Sequence, residues 1–176
     1  MNGKTHLAGG AVAFAVLISC DIEPTPAMFG GALTGALLPD IDHFSSRISN
    51  QNIGTKTVSA VISLLFGHRG FTHTLVFTAI VSFLCYMGGI ISPAYSYLMS
   101  AATGLAAGIL SHLILDSFNP RGIMWFWPLT DKKIHIASIR TGSFGETVVY
   151  YMLIGIILFA GWINLSPAIT RFLMGL

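Results

Sequence analysis

The stretch Gly104-Leu-Ala-Ala-Gly108-Ile-Leu-Ser-His112-Leu-Ile-Leu-Asp116 restricts most what this chain can fold into. Gly104, Gly108, His112 and Asp116 recur every fourth residue, so on a helix they form one stripe. The two glycines let a neighbouring helix approach closely. The imidazole and the carboxylate follow one turn apart, a spacing that lets both reach one ion. Apart from Ser111, the residues between them are apolar. Burying a His and an Asp alone in such surroundings is costly. Other parts of the chain must supply partners for them.

The surroundings also set the class of protein. The chain is 53% hydrophobic and 9% charged, whereas a soluble domain carries about 25% charged residues. With a mean hydropathy of +0.74, it reads as an integral membrane protein, and residues 1–176 as one membrane domain. A net charge of +2 gives no reason to expect a nucleic-acid partner. Cys20 and Cys85 sit in apolar segments as small hydrophobes.

The first apolar run is Leu7 to Ser19, ended by Asp21, Glu23, Pro24 and Pro26. The second is Ala27 to Leu38, ended by Pro39-Asp40-Ile41-Asp42-His43. Both are short for spanning helices and rich in Gly and Ala, which suits packing inside a bundle. A polar loop over 44–56 leads to a short apolar stretch, Val58 to Phe66, expected as a half-helix. His68-Arg69-Gly70-Phe71-Thr72-His73-Thr74 precedes a span from Thr74 to Ile91. The helix carrying the stripe returns from Tyr95 to Phe118. After Asn119-Pro120, the stretch Ile123 to Phe144 holds Trp125 and Trp127, suited to a membrane interface. A last span runs from Glu146 to Ile163, within a segment 144–176 of helix and tail. The expectation is an all-α polytopic membrane bundle of about five membrane helices plus a half-helix, with a polar site on one face.

Direction brings the polar residues together. His6 starts the first helix and the Asp40–His43 cluster ends the second, so an antiparallel pair shares that face. His68 and His73 precede the next span, and His112 and Asp116 end the one that returns. Lys4, Arg47, Lys56, Arg69, Arg121, Lys132, Lys133 and Arg140 fall on the same side, and Arg171 falls opposite. By the positive-inside rule the site faces the cytoplasm.

The candidate metal ligands are His6, Asp40, Asp42, His68, His73, His112 and Asp116, with His43 as a neighbour. Mixed imidazole and carboxylate donors suit a divalent transition metal, Zn first, with Mn or Fe as alternatives. The number of donors is enough for one or two ions, and two would clamp a phosphoryl group and activate water. Arg69 is a candidate for a phosphate oxygen. Glu146 lies on the same face as a candidate base or supporting group. Each residue also has a plainer reading. His112 and Asp116 can be a hydrogen-bonded pair at a helix end, Asp40 a turn residue, His6 part of a wet N-terminus, and His68 and His73 part of an interfacial loop.

These motifs resemble the YdjM-like family of membrane-bound metal-dependent hydrolases. The resemblance rests on Thr5-His6, Leu38-Pro39-Asp40-Ile41-Asp42-His43, His68-Arg69-Gly70-Phe71-Thr72-His73-Thr74, His112-Leu-Ile-Leu-Asp116, Asn119-Pro120 and Trp127-Pro128. It covers residues 5–130. It implies a bacterial inner-membrane hydrolase with His6, Asp40, His68, His73, His112 and Asp116 as its site.

The first functional expectation is therefore an enzyme that hydrolyses a phosphoester, on a small molecule or membrane lipid, at the cytoplasmic membrane interface. The competing readings are a metal- or proton-coupled transporter and a membrane protein stapled by a metal without catalysis. A permeation path would need ionisable groups further across the membrane than these helix ends. A structural metal is usually closed by four ligands, fewer than are available here. Leu17-Ile18-Ser19-Cys20 also resembles a lipoprotein cleavage box. Glycines break its apolar run and a His stands at its start, so His6 is expected to be retained.

Overall fold

The structure is a computed structural model that describes residues 1–42, 70–92 and 94–173, with side chains described for these except Asp42 and residues 164–173. Its α-helices are α1 (Gly3–Ser19), α2 (Pro26–Leu37), α3 (Leu75–Ile90), α4 (Tyr95–Ser117) and α5 (Phe144–Leu173). Short 3-10 turns, Leu38–Asp42 and Phe71–His73, lie at the end of α2 and the start of α3. Among the described residues there is no strand, only an isolated bridge between Ile123 and Ile134.

Local chemistry sets the helix starts. Thr25 accepts a hydrogen bond from Met28 N at 3.1 Å, and Pro26 occupies the first turn of α2, where its missing N–H does no harm. Thr74 accepts from Phe77 N at 3.1 Å and donates to Phe71 O at 2.7 Å. That second bond fixes the turn ending in His73 directly against the first turn of α3.

The glycine stripe of α4 faces α2, and the contact is backbone to backbone. A Cβ added at Gly104 would collide with Met28 O, and one at Gly108 with Ala32 O. From the other side, a Cβ at Gly31 would strike Ala101 O and one at Gly35 would strike Leu105 O. Ala32 and Ala36 are completely buried in this seam. α1 and α3 also pack on α4, which makes α4 the axis of the bundle. Ile109 and Leu113 of α4 form the buried core together with Ile123.

α4 and the Phe144–Ile163 part of α5 are long and apolar enough to cross a membrane, while α1, α2 and α3 are shorter. α5 presents Tyr151, Phe159 and Trp162 outward, as a lipid-facing helix would. Two boundaries differ from expectation. α1 begins at Gly3, ahead of His6, and α5 continues past Ile163 to Leu173. The expected half-helix Val58–Phe66 lies outside the described residues.

The segment after α4 ties helix ends together. Ile136 N donates to Ser117 O at 2.7 Å and Ile139 N to Phe118 O at 2.9 Å. Trp125 Nε1 donates to Ser117 Oγ at 2.8 Å, and Trp125 O accepts from Leu75 N at 3.0 Å. The end of α4 and the start of α3 are thereby held side by side, with His112, Asp116 and His73 between them.

Candidate metal centre

Each element delivers one or two polar side chains to the same place. His6 comes from the first turns of α1, Asp40 from the 3-10 turn after α2, His73 from the residue before Thr74, and His112 and Asp116 from the last turns of α4. The three imidazoles are fully buried and Asp116 is 1% exposed. A wet N-terminus is thereby excluded for His6. The side chain of Asp40 is 21% exposed and forms the accessible edge.

The imidazoles touch one another. His6 and His112 are stacked with ring centroids 3.7 Å apart and planes 11° from parallel. His73 stands edge-on to His112 at 5.0 Å, with the two Nε2 atoms 3.2 Å apart. The carboxylates flank them. Asp116 Oδ2 is 3.7 Å from His73 Nε2, Asp116 Oδ1 is 3.4 Å from His6 Nε2, and Asp40 Oδ1 is 3.8 Å from His112 Nε2. Asp116 Oδ1 also accepts from the Met1 amino group at 2.5 Å.

Hydrogen bonding orients these rings for a metal. His112 Nδ1 lies 2.7 Å from Ala36 O, which only accepts. That bond assigns the proton to Nδ1 and leaves the lone pair of Nε2 facing the cluster, as for metal-bound histidines whose far nitrogen is held by a carbonyl. His73 Nδ1 pairs with Thr72 Oγ1 at 3.0 Å, again turning Nε2 inward. Neither ring nitrogen of buried His6 has a hydrogen-bond partner among the described residues, and Nε2 is left with a loose 3.4 Å approach to Asp116 Oδ1. A buried imidazole left in that state is uncommon in a folded chain, and a cation would satisfy the one of its nitrogens that carries the lone pair.

Two sets of donors are close enough to share an ion: His6, Asp40 and His112, and His73, His112 and Asp116, with donor atoms in each set within 4.8 Å of one another. His112 belongs to both. Its single inward lone pair can serve one ion at a time, so the sets overlap at this donor, and the combined imidazole and carboxylate donors fit Zn, Mn or Fe chemistry.

His68, Arg69 and His43 lie outside the described residues, as does the side chain of Asp42. Glu146 is not gathered into the cluster. Its carboxylate accepts from Asn2 N, from Asn2 Nδ2 at 2.9 Å, from Thr5 Oγ1 at 3.0 Å and from Gly142 N at 2.6 Å. The supporting groups Ala36 O and Thr72 Oγ1 carried no sequence signal beyond the adjacency of Thr72 to His73.

The fold and the cluster together define a small helical membrane protein with a buried His/Asp centre able to hold a metal ion. The chain belongs to the YdjM inner membrane protein family, whose model matches residues 1–176. It is 37% identical over 150 residues to a Bacillus subtilis protein named only as uncharacterized protein YvsG, covering 85% of this chain and 87% of that one. Inner membrane protein YdjM of Escherichia coli is 39% identical over 139 residues, 73% of this chain and 66% of its own length. Inner membrane protein YbcI of the same organism is 33% identical over 114 residues, 64% of this chain and 59% of its own. No solved structure matches the chain.

Proposed function

We propose that this chain is a membrane-bound metal-dependent hydrolase acting on a phosphoester, small or lipid-linked, at the cytoplasmic membrane interface. One observation carries the reading: His6, Asp40, His73, His112 and Asp116 converge from separate segments on one buried point, where both nitrogens of His6 lack a hydrogen-bond partner among the described residues. His73, His112 and Asp116 would hold a divalent transition metal, Zn or alternatively Mn or Fe, with His6 and Asp40 completing the set for one or two ions. Such an ion supplies Lewis-acid activation of a phosphoryl group and of water at neutral pH.

The chain's own residues supply the rest. Ala36 O and Thr72 Oγ1 fix the rings of His112 and His73. Asp40, the exposed member, stands where a substrate would enter. Arg69, in sequence next to Gly70 and the His73 turn, would hold a phosphate oxygen through its forked donors. A site at helix ends suits headgroup depth, which favours a lipid phosphoester, and the basic residues assigned to that side favour a cytoplasmic opening.

The test is metal content by mass spectrometry on detergent-purified protein, wild type beside His112→Ala and Asp40→Ala, followed by a phosphoester screen with Arg69→Ala as control. Bound transition metal lost in His112→Ala and reduced in Asp40→Ala, with turnover lost in Arg69→Ala, supports the reading. Protein that takes up neither Zn nor Mn when purified without chelator overturns it. A second reading, a metal staple without catalysis, is favoured by the near-complete burial of the three imidazoles and Asp116. It would show as tight, slowly exchanging metal with no turnover.

A further inference from the structure

α1 is poorly equipped to start where it does. Its N-cap, Asn2, makes no side-chain capping bond, and its first turn holds no acidic residue. The unsatisfied N–H groups and positive dipole end of a helix call for an acceptor or an anion. Both come from the other end of the chain. Glu146, 2% exposed, takes the backbone N–H and the side-chain amide of Asn2 together with the hydroxyl of Thr5.

The same carboxylate serves its own helix. Glu146 N donates to Ser143 Oγ at 3.3 Å while Glu146 Oε2 accepts from Gly142 N at 2.6 Å, an arrangement close to a capping box. One side chain therefore caps two helix starts. A capping box alone would need only the Gly142 bond. The bonds to Asn2 and Thr5 go further, and Thr5 immediately precedes His6, the imidazole with no hydrogen-bond partner of its own among the described residues. Lys4 adds to the joint by placing Nζ 5.4 Å from the ring centroid of Tyr150 on α5.

We infer that Glu146, acting through Asn2 and Thr5, is a positioning residue that sets the depth and rotation of α1 so that His6 reaches the metal centre. The inference rests on the metal-binding reading above. A clasp of this kind acts on the metal as an outer partner of a ligand does, and losing such partners costs roughly 10–100-fold in metal affinity.

The experiment is a chelator-competition measurement of Zn affinity on the full-length detergent-purified chain. It compares wild type, Thr5→Val, Thr5→Ser, Glu146→Ala, His6→Ala and the Thr5→Val/His6→Ala double variant, with helicity and melting recorded in chelator. The expected result is a drop of roughly 10-fold or more in Zn affinity for Thr5→Val and Glu146→Ala, as for loss of an outer partner, with Thr5→Ser near wild type. Thr5→Val should add nothing once His6 is gone, because a residue acting through His6 has no further effect in its absence. If Glu146→Ala fails to fold, the Thr5 series and the double variant decide alone. Wild-type affinity in Thr5→Val, or an undiminished Thr5→Val effect in the His6→Ala background, overturns the positioning role. A wild type that binds no Zn instead overturns the metal reading on which it rests.

Discussion

His6 and His112 lie ring on ring, 3.7 Å between centroids, although they enter from opposite ends of the sequence's polar cluster. His112 is the hinge of the arrangement, since it belongs to both sets of donors while His6 and Asp40 belong to one and His73 and Asp116 to the other. Removing His112 should therefore lower metal affinity more than removing either His6 or Asp40. We expect a loss beyond the roughly 100-fold upper range for an outer partner in His112→Ala, and a smaller loss in His6→Ala and Asp40→Ala. Chelator competition across the three variants checks the ranking, and equal losses would refute the shared role.

The α2–α4 seam gives a second prediction. Gly108 has no room for a methyl group because Ala32 O and Ala36 N stand in the way, and backbone cannot swing aside. Gly108→Ala must push α2 off α4, at a cost of about 1–3 kcal/mol. The same displacement moves Ala36 O away from His112 Nδ1, so metal affinity should fall together with the melting temperature. Gly30→Ala is the control, for a Cβ there meets nothing within 4 Å. Thermal melting and Zn titration of both variants in one detergent separate seam from surface.

Much of this centre was legible before any coordinates. The fourfold spacing of Gly104, Gly108, His112 and Asp116 survives in the fold because helical periodicity alone puts them on one face. Helix direction alone brought His6, Asp40 and His73 to the same end. The partners of Glu146 are not legible. The sequence offers it as a base or supporting group on the right face, but Asn2 and Thr5 lie 144 and 141 residues away, and no local pattern reports such a bond. The start of α1 at Gly3, ahead of His6, is silent in the sequence for the same reason, since its cap is supplied by a distant carboxylate. The 119–143 segment is also opaque, because its order comes from backbone bonds to Ser117, Phe118 and Leu75 rather than from a periodic pattern.

Thr74 links local capping to the site. It caps α3 through Phe77 N and holds the His73 turn through Phe71 O. Thr74→Ala should lower stability by about 0.5–2 kcal/mol, the usual cost of a lost N-cap, whereas Thr74→Ser should keep both bonds. Denaturant or thermal unfolding in detergent gives the stability difference. Zn affinity should fall in Thr74→Ala alone, since only that variant frees the turn that aims His73.

Metal and folding should be linked through this cluster. The donors come from α1, the turn after α2, the turn before α3 and the end of α4, so an ion bound to them holds those segments together and binds the unfolded chain poorly. A ligand that binds only the folded state stabilises it by about 2.7 kcal/mol at a free concentration of 100 times its Kd. Adding Zn to stripped protein should raise the melting temperature in proportion to the logarithm of free Zn, and chelator should reverse the rise. His112→Ala should lose the Zn-dependent increment while retaining a cooperative melt, because its ring contributes to the site more than to the apolar core of Ile109, Leu113 and Ile123. A Zn-dependent rise of equal size in His112→Ala would place the stabilising ion somewhere other than at this cluster.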